Sequence, residues 1–136
     1  MNHLFKKCIL ALTLTICVCK SFGANNDLSG QWDLKIEDKS HHTIATYVIE
    51  FSQQKAESCI VGNWLRVNVV SSKVEDSLEP LSYQISDNKL MIGRNNVCDA
   101  YLRLEGDLNN QNIQGEYYRF GWTSKSLGFF TLSKKK

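Results

Sequence analysis

The sequence has a single proline, and its longest apolar stretch is the twelve residues 8–19. A membrane-spanning helix needs roughly 20 apolar residues, so no segment reads as one. The sequence also lacks a nucleotide-binding fingerprint, a zinc-ligand spacing and a recognisable catalytic set. It contains no Asn-x-Ser/Thr sequon. Neither charge sign dominates, with 16 Lys and Arg against 14 Asp and Glu. What remains is an ordinary globular composition, 43% hydrophobic and 22% charged in 136 residues. That is enough chain for one domain and too little for two.

The first residues read as a targeting segment. Lys6 and Lys7 precede the apolar stretch CILALTLTICVC, and KSFGANN follows it. A basic start, a short apolar run and small residues form a secretory signal peptide. Cleavage after Gly23 places Ser21 and Gly23 at the −3 and −1 positions. Lipidation requires a small residue before the cysteine, whereas Ile16 precedes Cys17 and Val18 precedes Cys19. The expected division is a signal peptide at 1–23 and one domain at 24–136, exported to the periplasm or secreted.

Cleavage changes the charge balance. Lys6, Lys7 and Lys20 leave, so 13 cationic side chains face 14 carboxylates. Three of those cations are the terminal Lys134, Lys135 and Lys136. No basic face remains to neutralise a run of phosphates, which argues against nucleic acid as a partner. Cleavage also removes Cys8, Cys17 and Cys19 and leaves Cys59 and Cys98. Two thiols in an exported domain predict one disulfide. Closing that loop would contribute about 4 kcal/mol in the chain-entropy account.

Alternation of period two runs through the mature chain and predicts an all-β fold. Trp32, Leu34 and Ile36 share a face, as do Ala45, Tyr47, Ile49 and Phe51. A third strand over 59–70 groups Cys59, Val61, Leu65, Val67 and Val69. Leu81, Tyr83 and Ile85 follow, then a turn at Asp87-Asn88 and the pair Leu90 and Ile92. Cys98, Ala100, Leu102 and Leu104 make the sixth face, and Ile113, Gly115 and Tyr117 the seventh. A last strand falls near 127–132. Eight evenly spaced short strands predict an antiparallel up-and-down β-barrel, with a β-sandwich as the second choice. The segments LEGDL and IQGEY share a central glycine, read as relief of crowding where a barrel bends.

One tension accompanies this reading. In a strict meander, Cys59 opens the third strand and Cys98 the sixth, at opposite ends of the barrel. Bonded cysteines need Cα atoms within about 7 Å. Either the pairing or the strand count between them must give way.

Gly30-Gln31-Trp32 heads the first strand of the eight. This Gly-x-Trp opening of an eight-stranded meander resembles the calycin superfamily, which includes lipocalins, avidins and small bacterial metalloprotease inhibitors. The resemblance implies a lipocalin-like barrel with Trp32 closing one end. The chain departs from the lipocalin pattern in having no Thr-Asp-Tyr motif and no arginine on the last strand, where Lys134 is the nearest cation. It has no avidin-like biotin-contacting set. The inhibitor likeness would make 24–27 a short polar arm.

Two uses of such a barrel follow. The inward faces hold Trp32, Tyr47, Phe51, Tyr83, Tyr117 and Phe130. An eight-stranded barrel is just wide enough to be filled by side chains or to hold one small ligand, and six large rings favour filling. The outward faces then become the candidate site. Trp64 and Arg66 should point out of the third strand, Tyr101 and Arg103 out of the sixth, and Tyr118 and Phe120 out of the seventh, with Trp122 in the next turn. Exposed Tyr, Trp and Arg are enriched at protein-binding hot spots. The alternatives are that these rings only brace the sheet, or that the faces are slipped by one residue.

Sites for chemistry are sparse. His41-His42 lies in a turn with no third metal ligand in step. Glu75, Asp76 and Glu79 crowd a loop with nothing nearby to tune them. The functional expectation is therefore a non-enzymatic binding protein without cofactor or metal. It would engage a protein partner, as an inhibitor or immunity-type factor, through its outer face and loops. The alternative is a carrier of a small apolar ligand inside the barrel.

Overall fold

The computed structural model describes residues 27–74, 80–94, 101–108 and 111–136. Every element among them is a strand: β1 Gln31–Asp38, β2 Thr43–Lys55, β3 Leu65–Lys73, β4 Leu81–Ser86, β5 Lys89–Gly93, β6 Tyr101–Asp107, β7 Asn112–Phe120 and β8 Lys125–Lys134. Each pairs antiparallel with the next, and β8 returns to pair with β1. The result is the closed up-and-down barrel the alternation predicts. Closure gives every strand a partner on both sides. Among the described residues the narrowest seam joins β3 to β4 through three pairs, Leu65 with Tyr83 to Val67 with Leu81.

Burial follows parity. Trp32, Leu34, Ile36, Ile49, Leu90, Ile92, Leu104, Ile113, Phe130 and Leu132 are all less than 2% exposed and point inward. Tyr47 and Tyr83 join the same cluster, with Phe51 and Tyr117 packed against it at partial burial. Three rings interlock edge to face, Trp32 with Phe51 at 6.1 Å and Phe51 with Tyr83 at 4.8 Å. The Tyr83 hydroxyl donates to the Ser52 carbonyl at 3.0 Å, so its polar end is satisfied. All six rings assigned inward from the sequence therefore do face the interior.

The strand boundaries differ from expectation around Cys59. Strand β2 runs on to Lys55, and β3 starts at Leu65. The intervening residues form a loop that Ala56 closes by donating its N–H to the Trp64 carbonyl. Ser58 turns the chain by accepting the Ile60 N–H at 2.9 Å, and Gly62 takes a φ of 140°, where side chains are strained. Val61, expected on an inner face, is instead 98% exposed. Gly62 lies against the side chain of Gln84, so the loop folds back over the outside of β4. Ile85, also expected inward, is 46% exposed at the end of β4. The turn at Asp87-Asn88 is present, both residues having positive φ, the geometry of a two-residue hairpin.

The segment leading into β1 is latched to the end of β8 at one end of the barrel. The Asp27 carboxylate accepts from Ser29 N–H at 2.9 Å and Ser29 Oγ at 2.8 Å, and pairs with Lys134 Nζ at 3.2 Å. These bonds, those from Ser29 foremost, hold its pKa at about 2, below the ordinary 3.8. A lowered carboxyl stabilises the fold above the unfolded-state value, and that contribution fades as pH falls through 2. An NMR titration should place Asp27 near 2 in the native chain, and Ser29→Ala should return it toward 3.8. A native value already near 3.8 would show that the latch is open in solution.

Candidate functional site

Strands β6 and β7 bring four of the predicted site residues together on the outer wall. Leu102, Leu104 and Ile113 point inward, which leaves Tyr101, Arg103, Tyr118 and Phe120 outside. Tyr101 pairs with Phe120 and Arg103 with Tyr118 across the two strands. The Tyr101 and Phe120 rings stack at 5.4 Å with 12° between planes. Tyr118 meets Phe120 edge-on at 6.1 Å. The Arg103 guanidinium carbon sits 4.8 Å from the Phe120 centroid, in cation–π range. Arg103 Nη2 also donates to Glu105 Oε2 at 2.7 Å and lies 3.0 Å from Met91 Sδ on β5. Its Nε is buried without a hydrogen-bond partner. The four residues thus form one half-buried patch rather than four isolated side chains.

A register shift between Tyr117 and Tyr118, where β7 meets β8, separates two roles on one strand. Tyr117 packs against the core, and burial pushes its phenol up. Tyr118 faces out and donates to Glu116. That bond, then burial and the charges of Glu116 and Glu105, holds its phenol above the usual tyrosine range. The patch consequently carries a neutral phenol and a carboxylate side by side.

The remaining predicted residues are placed differently. Trp122 is fully exposed in the loop after β7, two residues beyond Phe120. Arg66 is exposed on β3, its Nε donating to the Lys55 carbonyl at 3.1 Å. Trp64 is only 6% exposed and lies outside the core cluster. Expected on the exposed face of the third strand, it instead precedes β3 and is buried: its own loop covers it, and Nε1 donates to the Val61 carbonyl at 3.4 Å. Strand β3 neighbours β2 and β4, so Trp64 and Arg66 do not join the β6–β7 patch. Cys59 is exposed in the same loop, while Cys98, Glu75, Asp76 and Glu79 lie outside the described residues.

Sequence reasoning missed Met91, Glu105 and Glu116. The same parity that exposed Arg103 and Tyr118 also places these three outward, but without rings or cations they drew no notice. His41 stacks on Phe129 at 5.0 Å, and His42 Nδ1 lies 3.4 Å from Asp38 Oδ2. Among the described residues no group of three His, Cys, Asp or Glu side chains could hold a metal.

The fold and patch define a small closed antiparallel barrel with large side chains on its inner layer and aromatic residues on its outer face. Comparisons with protein-family models, curated proteins and solved structures found no match.

Proposed function

We propose that this chain is an exported, non-enzymatic barrel that binds a protein partner through the outer face of β6 and β7. The observation that carries this reading is the joined patch of Tyr101, Arg103, Tyr118 and Phe120 outside a core already occupied by large side chains. Tyr and Arg in a half-desolvated cluster supply binding energy at low entropic cost, and Trp122 at the rim adds apolar area. An inhibitor or immunity-type factor works by such surface engagement and needs no catalytic residues.

Three further parts belong to the proposal. Residues 1–23 act as the export signal. Cys59 and Cys98 form the disulfide of the mature chain. The objection from a strict meander weakens, because Cys59 sits in a loop folded onto the outer wall and not at a strand start. The barrel is also calycin-like. Trp32 is wholly buried at the latched end, its Nε1 donates to the Leu28 carbonyl at 3.1 Å, and Lys134 lies 5.7 Å from its ring. Lys134 therefore supplies the cation on the last strand, where the sequence has no arginine.

Native mass spectrometry of the protein from its host's exported fraction tests this reading. The expected mass reflects cleavage near Gly23 and loss of two hydrogen atoms on oxidation to the disulfide, with no small-molecule adduct. A retained adduct would make the protein a carrier and overturn the proposal. The partner should then be captured by the native chain and lost by the double variant Tyr118→Ser/Phe120→Ser, with binding weakened at least about 30-fold, the measure of a hot spot. Loss of the ring pairs should cost only about 1–2 kcal/mol of stability. A folded double variant that keeps full affinity would assign the rings to bracing the sheet.

A further inference from the structure

The partner's chemistry can be read from a like-charge pair inside the patch. Glu105 and Glu116 stand directly opposite each other across β6 and β7. Opposed like charges destabilise a sheet. Glu105 is compensated twice, by Arg103 at 2.7 Å and by Lys89 at 3.4 Å. Glu116 is exposed and has no cation among the described residues; it accepts only the Tyr118 hydroxyl. On its other side Glu116 pairs with Phe129 of β8, which is 38% exposed, and Phe129 pairs in turn with Glu37 of β1, already bound to Lys35 at 3.0 Å. Neighbouring strands lie about 4.8 Å apart, so Glu105, Glu116 and Phe129 form a continuous outer row. Tyr118 lies two residues along the strand from Glu116. One uncompensated carboxylate thus stands between two partly exposed rings, in a row whose other carboxylates are neutralised.

We infer that this face receives an arginine or lysine side chain of the partner, seated over Glu116 between Tyr118 and Phe129, with apolar neighbours covering the rings. A cation there relieves the opposition of the two glutamates, pairs with Glu116 and meets aromatic faces. A neutral or acidic segment leaves the opposition in place. The inference rests on the proposed binding role of the outer face and specifies what binds there.

The test uses the full chain, isotopically labelled, and two capped tripeptides: Leu-Arg-Leu and the same peptide with neutral citrulline in place of arginine. The arginine peptide should shift the amide resonances of Glu116, Tyr118 and Phe129. It should bind about tenfold more tightly than the citrulline peptide, the ratio one exposed ion pair and one cation–π contact supply together. Glu116→Gln should erase that preference. Because it also removes the like-charge pair, Glu116→Gln should unfold at a higher urea concentration than the native chain. A lower urea midpoint would show that the two glutamates are not in conflict and would overturn the inference. Equal binding of both peptides at this face would overturn the cation preference and leave the outer-face reading standing. No shifts at this face with either peptide would count against both. Concentration-dependent broadening of the same amides, abolished by deleting Lys135 and Lys136, would assign the face to a second copy and also overturn the inference.

Discussion

Trp32→Ala is expected to lower the unfolding free energy by about 4 kcal/mol, read from urea unfolding by far-ultraviolet circular dichroism. The whole stability of a domain this size is about 5–15 kcal/mol, so the variant loses between about a quarter and most of it. Three losses converge at the site. The indole is fully buried and edge-on to Phe51, so truncation leaves a cavity beneath a ring chain that ends at Tyr83. The Leu28 carbonyl loses its 3.1 Å donor, which frees the segment that leads into β1. Lys134 loses the ring it lies over. These terms differ in size, and variants separate them. Lys134→Ala removes only a partly exposed cation–π contact and the Asp27 pair, and should cost less than about 1 kcal/mol. Trp32→Phe keeps most of the apolar volume but no donor, and should fall between the two. If Trp32→Ala costs no more than Lys134→Ala, the indole does not close this end of the barrel.

Alternation made the interior legible because parity is a local property. Once Leu102 and Leu104 are inward, Tyr101 and Arg103 must be outward, and the same holds for Ile113 against Glu116. The patch was legible for a second reason. Only four residues separate β6 from β7, a length that restricts their register, and Gly106 ends opposite Gly115. Around Cys59 both kinds of information fail. Cys59, Val61 and Leu65 imitate a strand face, but the Ser58 turn and the positive φ of Gly62 end the pairing before it starts. Parity stops short of Trp64, which precedes β3, and does not say what lies over it. That cover comes from a loop folded back on Gln84, a tertiary contact with no sequence signature. The Glu105–Glu116 opposition was hidden for the opposite reason. Each residue alone is an ordinary solvated carboxylate, and only the cross-strand register makes them a pair.

Gly115→Ala should destabilise the barrel by about 3 kcal/mol, the upper part of the usual cost of overpacking. Gly115 has an ordinary negative-φ backbone, so the cost is steric and not conformational. A Cβ there would stand 2.6 Å from Phe130 Cε1 and press on the Glu105 carbonyl. Phe130 is 1% exposed and has nowhere to retreat, since the opposite glycine, Gly106, would itself bring a Cβ within 3.0 Å of Phe130 Cζ. The two glycines therefore form a notch that admits one large ring where the wall bends, the role the LEGDL and IQGEY likeness suggested. A double-mutant cycle distinguishes this account from a general intolerance of the strand. Phe130→Leu alone opens a cavity and should cost about 1–2 kcal/mol. Combined with Gly115→Ala, the shorter side chain makes room for the new methyl, so the pair should cost about 1 kcal/mol less than the sum. Rescue should stop there, because the contact with the Glu105 carbonyl is to backbone and no side-chain change relieves it. Strict additivity would place the whole cost on that backbone contact and remove Phe130 from the explanation. Full rescue would do the reverse, and would show that β6 can move away from β7 at little cost.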